Sequence, residues 1–178
     1  AEKVITGQII DFTLKGQEKI ALIGPNGIGK TTLIRKIYQD LQDKPGVSVG
    51  YMPQEYSENV DQNLTALEFL SQSGREEEAC TLLAGLKFTR NEILHPISHL
   101  SGGQKAKLFL AKMVFDLNYI LLLDEPTLHF SPISQPEIRR LLLDYPGAIF
   151  TISHDRTFIE QVTQISYQLT EEELIRLD

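Results

Sequence analysis

The chain has 178 residues, of which 42% are hydrophobic and 23% are charged. These proportions are ordinary for a globular domain with a packed core, and they exclude collagen-like and low-complexity proteins. Seventeen Lys and Arg against 24 Asp and Glu give a net charge of −7. Because nucleic-acid backbones are held by excess positive charge, the chain is not by itself a nucleic-acid clamp. The single cysteine, Cys80, excludes an internal disulfide. No apolar run approaches the roughly 20 residues of a membrane span, so no direct membrane insertion is expected.

Strands and helices are predicted to alternate along most of the chain. Strands are predicted over 4–10, 18–23, 47–52, 119–123, 148–152 and, as the last one, 165–169. Helices are predicted over 30–41, 63–86 with a break at 73–74, 101–116, from a capping box at Ser134 onward, and over 155–162. Such alternation predicts an α/β fold with a mostly parallel sheet flanked by helices.

One segment departs from this alternation. Residues 57 to about 100 are helical without strands, which predicts a small helical lobe inserted into the α/β core. Together with the following helix this lobe is expected to span 57–118, within a single domain over 1–178. The chain does not begin with Met, and we expect it to be a fragment of a longer protein.

The segment Gly24-Pro-Asn-Gly-Ile-Gly-Lys-Thr31 matches the pattern G-x-x-x-x-G-K-[ST] between a predicted strand and a predicted helix. Its glycines allow backbone N–H groups to face a phosphate, and the helix N-terminus adds partial positive charge. Lys30 is predicted to reach the β- and γ-phosphates, and the Thr31 hydroxyl to bind Mg²⁺. An ordinary glycine turn is the alternative, but chance produces this match in less than about 1% of chains this long. The predicted nucleotide-binding residues are Asn26, Gly27, Gly29, Lys30, Thr31 and Thr32.

An apolar strand ends in two carboxylates, Asp124 and Glu125. Alone, this pattern is best explained as a core strand that meets a solvated turn. Beside a phosphate loop, the first acid is predicted to hold Mg²⁺ and the second to polarise the attacking water.

The segment Leu100-Ser-Gly-Gly-Gln104 precedes a predicted helix. A capped helix after a turn is the plain interpretation, since serine is a good N-cap. The functional interpretation is a second phosphate-binding helix start. One nucleotide needs only one phosphate-binding helix start. The second helix start is therefore best explained by a nucleotide that is held on another copy of the domain. The predicted contacts are Ser101, Gly102, Gly103 and Gln104.

Two single residues follow predicted strands. Gln54 could reach Mg²⁺ or the attacking water with its amide, and His154 could donate to a γ-phosphate oxygen. Alone, such residues are more often solvated or capping. His95, His99 and His129 lack the Cys/His spacing of a zinc site, and we interpret them as structural or surface residues.

These motifs, in this order, resemble the nucleotide-binding domain of ABC ATPases, a branch of the P-loop NTPases. The resemblance implies ATP with Mg²⁺ and a head-to-tail dimer. Each nucleotide would lie between the phosphate loop of one domain and Ser101 and Gly103 of the other. Glu125 would be the catalytic base, while Lys30, Gln54 and His154 would contact the γ-phosphate or its water.

Finer features resemble the soluble ABC-F branch, especially its C-terminal domain. The segment Leu100–Gln104 continues into Lys105-Ala-Lys107, as in that domain. The sequence Ser-His-Asp-Arg-Thr-Phe-Ile at 153–159 also resembles the pattern of this branch. Members carry two such domains in one chain and act on ribosomes, in translation or in antibiotic resistance. The resemblance implies a cytoplasmic protein whose partners are the ribosome and a second ABC ATPase domain, in the same chain or a homodimer. An isolated half would then be weakly active or inactive.

Other functions remain open from the sequence. The same site would serve the ATP-hydrolysing subunit of a membrane ABC transporter, or a non-hydrolysing regulatory module, which Glu125 disfavours. The chain also departs from the family. Ser131 replaces the usual Asp of the D-loop, and Phe12 is the only aromatic residue available to stack on adenine.

Overall fold

The computed structural model describes residues 2–5, 8–11, 13–55 and 60–177. Phe12 lies outside the described residues. The strands are β1 (Glu2–Ile5), β2 (Gln8–Asp11), β3 (Lys19–Ile23), β4 (Val49–Met52), β5 (Ile120–Asp124), β6 (Ala148–Ile152), β7 (Ile165–Leu169) and β8 (Leu174–Leu177). The α-helices are α1 (Lys30–Gln42), α2 (Ala66–Leu70), α3 (Glu76–Gly85), α4 (Arg90–Leu94), α5 (Gly102–Phe115), α6 (Gln135–Leu143) and α7 (Arg156–Val162). Short 3₁₀ helices cover Ile97–His99 and Pro126–His129.

Within the described ranges, the main sheet has six strands in the order β4-β5-β6-β3-β7-β8. Neighbours are parallel, as in the pairing of Ile20 with Phe150 on one side and with Ile165 on the other. Of these six described strands, β8 alone runs antiparallel to its neighbour, pairing Leu177 with Ser166. The predicted mostly parallel sheet is confirmed. Since β3, β5 and β6 are adjacent, their C-terminal ends meet at one edge, where ligands bind in open α/β sheets.

Two strand predictions are wrong. The segment predicted as one strand over 4–10 instead contributes two antiparallel strands, with Glu2 opposite Asp11. Apolar pairs at Val4–Ile5 and Ile9–Ile10 suggested one strand, whereas the pairing assigns them to two. The segment 165–169 is not the last strand, because β8 follows after a turn in which Thr170 Oγ1 accepts from the N–H of Glu173 at 3.0 Å. The strand β8 has only four residues and follows three glutamates, so its sequence pattern was too short to indicate a strand.

Apolar side chains cover both faces of the sheet, because successive residues of a strand point to opposite sides. Leu122 packs in the cluster that contains Leu33 and Ile34 of α1. Its neighbours Leu121 and Leu123 pack in the cluster beneath α5, α6 and α7. The predicted helical layers on both faces are therefore confirmed.

The helices α2, α3 and α4 lie between β4 and α5 in the chain. Two of them begin with a capping box, Thr65 with Glu68 and Thr89 with Glu92. Arg75 donates to the carbonyl of Phe115 at 2.5 Å, which joins the start of α3 to the end of α5. We refer to α2–α4 as the lobe; the division of the domain at 57–118 stays a prediction.

The capping box predicted at Ser134 is wrong. Ser134 has helical backbone angles, φ −84° and ψ −18°, and its side chain caps no backbone N–H. Its hydroxyl accepts from Ser131 Oγ at 3.2 Å instead. A capping residue needs an extended backbone, which the turn beginning at Ser131 does not provide here.

Within the described part of the chain, no helix combines the length and apolar character that crossing a membrane requires.

Gly24 joins β3 to the following loop in a conformation that side chains rarely adopt, with φ +150°. A Cβ there would lie 2.7 Å from the backbone oxygen of Leu169, whereas at Gly27, with φ +80°, it would meet nothing within 4 Å. We expect Gly24→Ala to lower the free energy of unfolding by about 3 kcal/mol and Gly27→Ala by about 1 kcal/mol. Urea denaturation measures both, and equal losses would contradict a clash with β7.

Candidate nucleotide site

The loop between β3 and α1 forms a cradle that only glycine-rich sequence permits. Gly27 and Gly29 have φ of +80° and +107°, conformations without steric cost for glycine alone. Lys30 is 8% exposed, and its Nζ donates to the carbonyls of Gly24 at 2.7 Å and Pro25 at 2.9 Å. Burial lowers the pKa of Lys30, against the opposing charges of Glu125 and Asp124. A buried cation therefore lies at the base of the loop.

A pocket of about 510 Å³ opens above this cradle at the edge where β3, β5 and β6 end. It brings together every predicted site residue outside the segment Ser101–Gln104. Two residues that sequence reasoning missed, Leu128 and Ile152, also line it, and neither carries a chemical signal in the sequence. The lining residues are Asn26, Gly27, Gly29, Lys30, Thr31, Thr32, Gln54, Asp124, Glu125, Leu128, Ile152 and His154.

One wall of the pocket carries oxygen atoms suited to a divalent cation. Thr31 Oγ1 donates to Asp124 Oδ2 at 2.8 Å. Asp124 is 1% exposed, and its Oδ1 has no hydrogen-bond partner among the described residues. Burial raises the pKa of Asp124, opposed by the hydrogen bond from Thr31. Because Mg²⁺ prefers hydroxyl and carboxylate oxygens, these residues fit it.

Glu125 is held at the end of β5 from two sides. It has a left-handed backbone, φ 52°, and its N–H donates to the carbonyl of Ile152 at 2.9 Å. The N–H of His154 donates to Glu125 Oε2 at 3.3 Å, and His154 Nδ1 contacts Oε1. The Glu125 side chain is 9% exposed, whereas the His154 side chain is 57% exposed. The carboxylate is thus fixed, while the imidazole reaches the open pocket.

Gln54 follows β4 and lies exposed on the rim of the pocket. Its backbone makes a hydrogen bond to His129, which follows Glu125 by four residues. Burial lowers the pKa of His129, and this hydrogen bond opposes the shift. His129 therefore links the Gln54 loop to the 3₁₀ helix, a contact between segments distant in sequence.

The segment Ser101–Gln104 does not line the pocket. Ser101 caps α5, since its Oγ accepts from the N–H of Gln104 at 3.2 Å. Ser101 and Gly102 are exposed, and a Cβ on Gly102 would meet nothing within 4 Å. The Gln104 side chain donates to Glu92 Oε1 at 3.0 Å in the same domain. We call Ser101, Gly102 and Gly103 the serine–glycine corner; it is open to a neighbouring molecule.

The fold and the pocket together define a phosphate-loop nucleotide-binding domain. A family model described as ABC transporter matches residues 8–128. The chain belongs to the ABC ATPase family, as the sequence motifs predicted, and it is similar to proteins of the ABC-F type.

Several curated proteins resemble the chain along most of its length. The ribosome protection protein VmlR of Bacillus subtilis is 34% identical over 86% of this chain and 29% of its own. The erythromycin resistance ATP-binding protein MsrA of Staphylococcus epidermidis is 34% identical over 90% and 30%. ABC transporter F family member 5 of Arabidopsis thaliana is 31% identical over 85% and 24%. The chain thus spans about a quarter to a third of these relatives.

Solved structures share the fold at low sequence identity. A dimeric post-hydrolysis state of the ATP-binding cassette MJ0796, bound to ADP and Pi, has a TM-score of 0.73 at 20% identity. The similarity covers 99% of this chain and 95% of that one. The RNase-L inhibitor has a TM-score of 0.72 at 22% identity, over 90% of this chain and 34% of that one. The predicted α/β P-loop architecture is therefore confirmed.

Proposed function

We propose that the chain binds ATP with Mg²⁺ in the pocket above the phosphate loop. It hydrolyses the ATP when a second ABC ATPase domain, in the same protein or in a homodimer, faces that pocket. The observation that carries this proposal is the serine–glycine corner. It is a capped, exposed helix start that its own pocket does not use. The helix N-terminus attracts phosphate oxygens, and a facing domain would supply the phosphate that this corner lacks.

Each residue of the pocket has a task that its position supports. Lys30 would exchange its two loop carbonyls for the β- and γ-phosphate oxygens, with backbone N–H groups of Asn26–Thr32 beside it. Thr31 and Asp124, with the Gln54 amide, would hold Mg²⁺. When bound, Mg²⁺ neutralises charge on the phosphates.

Glu125 and His154 would act on the attacking water. Glu125 would accept a proton from the water, because its carboxylate is fixed at the edge of the pocket. His154 is positioned by Glu125 and would donate to a γ-phosphate oxygen from the exposed side. The carboxylate thus has two tasks, as base and as the group that orients the histidine.

Exposed apolar side chains near the pocket support a facing protein surface. Leu128 is 65% exposed on the rim, and Ile133, just beyond the 3₁₀ helix, is 87% exposed. Burial of such side chains contributes about 1.5–3 kcal/mol each. Association of two domains across the pocket would cover them. Ser131 lies in the same segment, at the position where the family usually carries an Asp. Its hydroxyl donates to Ser134 Oγ.

The proposal predicts that ATP turnover by the chain depends on its concentration. Each composite site needs two copies, so the rate per chain is expected to rise with concentration and to saturate as dimers form. Phosphate release, measured over a hundredfold range of chain concentration, tests this. Fast turnover that is independent of concentration would contradict a site shared between copies.

Removing the serine of the corner is expected to separate catalysis from folding. Ser101→Ala deletes the N-cap of α5. Thr65→Ala deletes the equivalent N-cap of α2, because Thr65 Oγ1 accepts from the N–H of Glu68 at 3.1 Å. Both changes should cost about 1 kcal/mol of unfolding free energy. Only Ser101→Ala should also lower turnover, by about tenfold or more, since one transition-state donor is lost.

Urea unfolding and phosphate release measure the two effects. Equal turnover in these two variants would contradict a catalytic role for the serine–glycine corner.

We further propose that the native protein is cytoplasmic and that the ribosome is its partner. Relatives that include a ribosome protection protein and an erythromycin resistance protein support this. The native protein with Glu125→Gln should co-sediment with ribosomes in ATP and be released in ADP. Absence from the ribosome fraction, with recovery in a complex with membrane-spanning subunits, would instead favour the transporter alternative.

A further inference from the structure

Helix α5 carries a lysine whose side chain is almost completely buried, about one turn beyond the last residue of the serine–glycine corner. Lys107 is 5% exposed, and its Nζ donates to the carbonyl of Leu86, just after α3, at 3.0 Å. The same ammonium lies 5.9 Å from the centre of the Phe88 ring. Since a buried charge is costly unless it is paired, these contacts hold the side chain in one place.

Carboxylates on two sides compensate the charge of Lys107. Glu137 on α6 and Glu92 on α4 both act on it electrostatically, and burial lowers its pKa against their effect. Glu92 belongs to the lobe, whereas Glu137 belongs to a helix that covers the main sheet. Lys107 therefore lies where the lobe, α5 and α6 meet.

Glu92 connects this lysine to the start of α5. Its Oε1 accepts from Gln104 Nε2 at 3.0 Å, and its Oε2 accepts from the N–H of Thr89 at 2.7 Å. Partial burial works to raise the pKa of Glu92, but the hydrogen bonds from Thr89 and Gln104 and the charge of Lys107 lower it. The carboxylate is thus held by its own helix cap while it holds Gln104. We call Glu92, Gln104 and Lys107 the lobe network.

We propose that Glu92 and Lys107 are positioning residues that aim the serine–glycine corner at a nucleotide on the facing domain. This inference rests on the proposed function. Lys107 follows Ser101 by six residues, about 9 Å along the helix, so a tether at Lys107 sets where the helix begins. Gln104 acts within its own domain, as the side chain through which Glu92 holds the first turn. A misplacement of about 1 Å at a reacting group can cost about 100-fold in rate.

The test replaces the lysine in the native, full-length protein. Lys107→Met keeps the apolar stem but removes the hydrogen bond to Leu86 and the charge. We expect kcat for ATP hydrolysis to fall by about tenfold or more, while the affinity of the phosphate loop for ATP changes by less than about twofold. Lys107→Arg restores a buried cation and should recover most of kcat. Lys112→Met is the matched control, because that lysine pairs with Asp116 at the far end of α5, at 3.0 Å.

Glu92 provides a second measurement should Lys107→Met fail to fold. Glu92→Gln keeps an acceptor for Gln104 and should lower kcat by about threefold, whereas Glu92→Ala should lower it by about tenfold, both at unchanged ATP affinity. Unchanged kcat in Lys107→Met and Glu92→Ala would overturn the inference. Equal losses of ATP affinity and of kcat would also overturn it, since they indicate general loosening of the domain. Failure of the proposed function is distinguishable, because Ser101→Ala and Glu125→Gln would then also leave turnover unchanged.

Discussion

Glu125→Gln is expected to abolish ATP hydrolysis while ATP binding is preserved. The substitution keeps the shape of a side chain that is 9% exposed, but it removes the group that would accept the proton of the attacking water. General-base catalysis contributes about 100- to 10,000-fold, so turnover should fall by at least about 100-fold. Lys30 and the loop N–H groups, which we propose as the main phosphate-binding groups, are unchanged. A closed, ATP-bound dimer should therefore accumulate.

Phosphate release and titration calorimetry with ATP and Mg²⁺ measure the two parts of this expectation. Glu160→Gln, an exposed glutamate on α7, makes the same chemical change away from the pocket and serves as the control. Undiminished turnover in Glu125→Gln would remove Glu125 as the base. A loss of ATP affinity would show instead that the contact between Glu125 and His154 shapes the binding pocket.

Lys30→Ala is expected to weaken ATP binding by about tenfold to 100-fold. Hydrogen bonds to charged groups contribute about 1.5–3 kcal/mol, and Lys30 is the cation at the base of the loop. Among the described residues, its ammonium donates only to carbonyls of the same loop, so a phosphate can replace these contacts. Asp124 and Glu125 lie in the same pocket, and without Lys30 their charges would repel the phosphates more strongly.

Calorimetry of the chain with ATP and Mg²⁺ measures this loss. Lys44→Ala removes the same charge from an exposed position just past the far end of α1, and it should leave the affinity unchanged. If Lys30→Ala binds ATP as tightly as the unmodified chain, the assignment of the phosphate loop fails.

The phosphate loop could be predicted because all its determinants are adjacent in sequence. Gly27 and Gly29 permit the turn, and Lys30 opens the helix, so one contiguous pattern carries both geometry and chemistry. The prediction that Thr31 and Asp124 lie together at one Mg²⁺ site was less direct. It required the parallel sheet to bring the ends of β3 and β5 to one edge, which alternating strands and helices imply.

The errors share a different cause. β8 and the antiparallel pair β1–β2 are short, and short strands are defined by their partners rather than by their own composition. Ser134 carries a capping sequence, but the turn before it sets a helical backbone. The contact of His129 with the Gln54 loop agrees with its interpretation as a structural residue. Its partner could not be predicted, and neither could the bonds of Glu92 to Gln104 and of Lys107 to Leu86, because no motif marks them.

Residue order alone therefore determined the class of fold, nucleotide binding and the family, because those depend on contiguous patterns and on the period of apolar residues. The three-dimensional structure decided which side chains hold one another: Glu125 with His154, Gln104 with Glu92, and Lys107 between lobe and sheet. Such pairs join segments that are far apart along the chain. Their formation depends on how the whole core packs, and no local pattern encodes it.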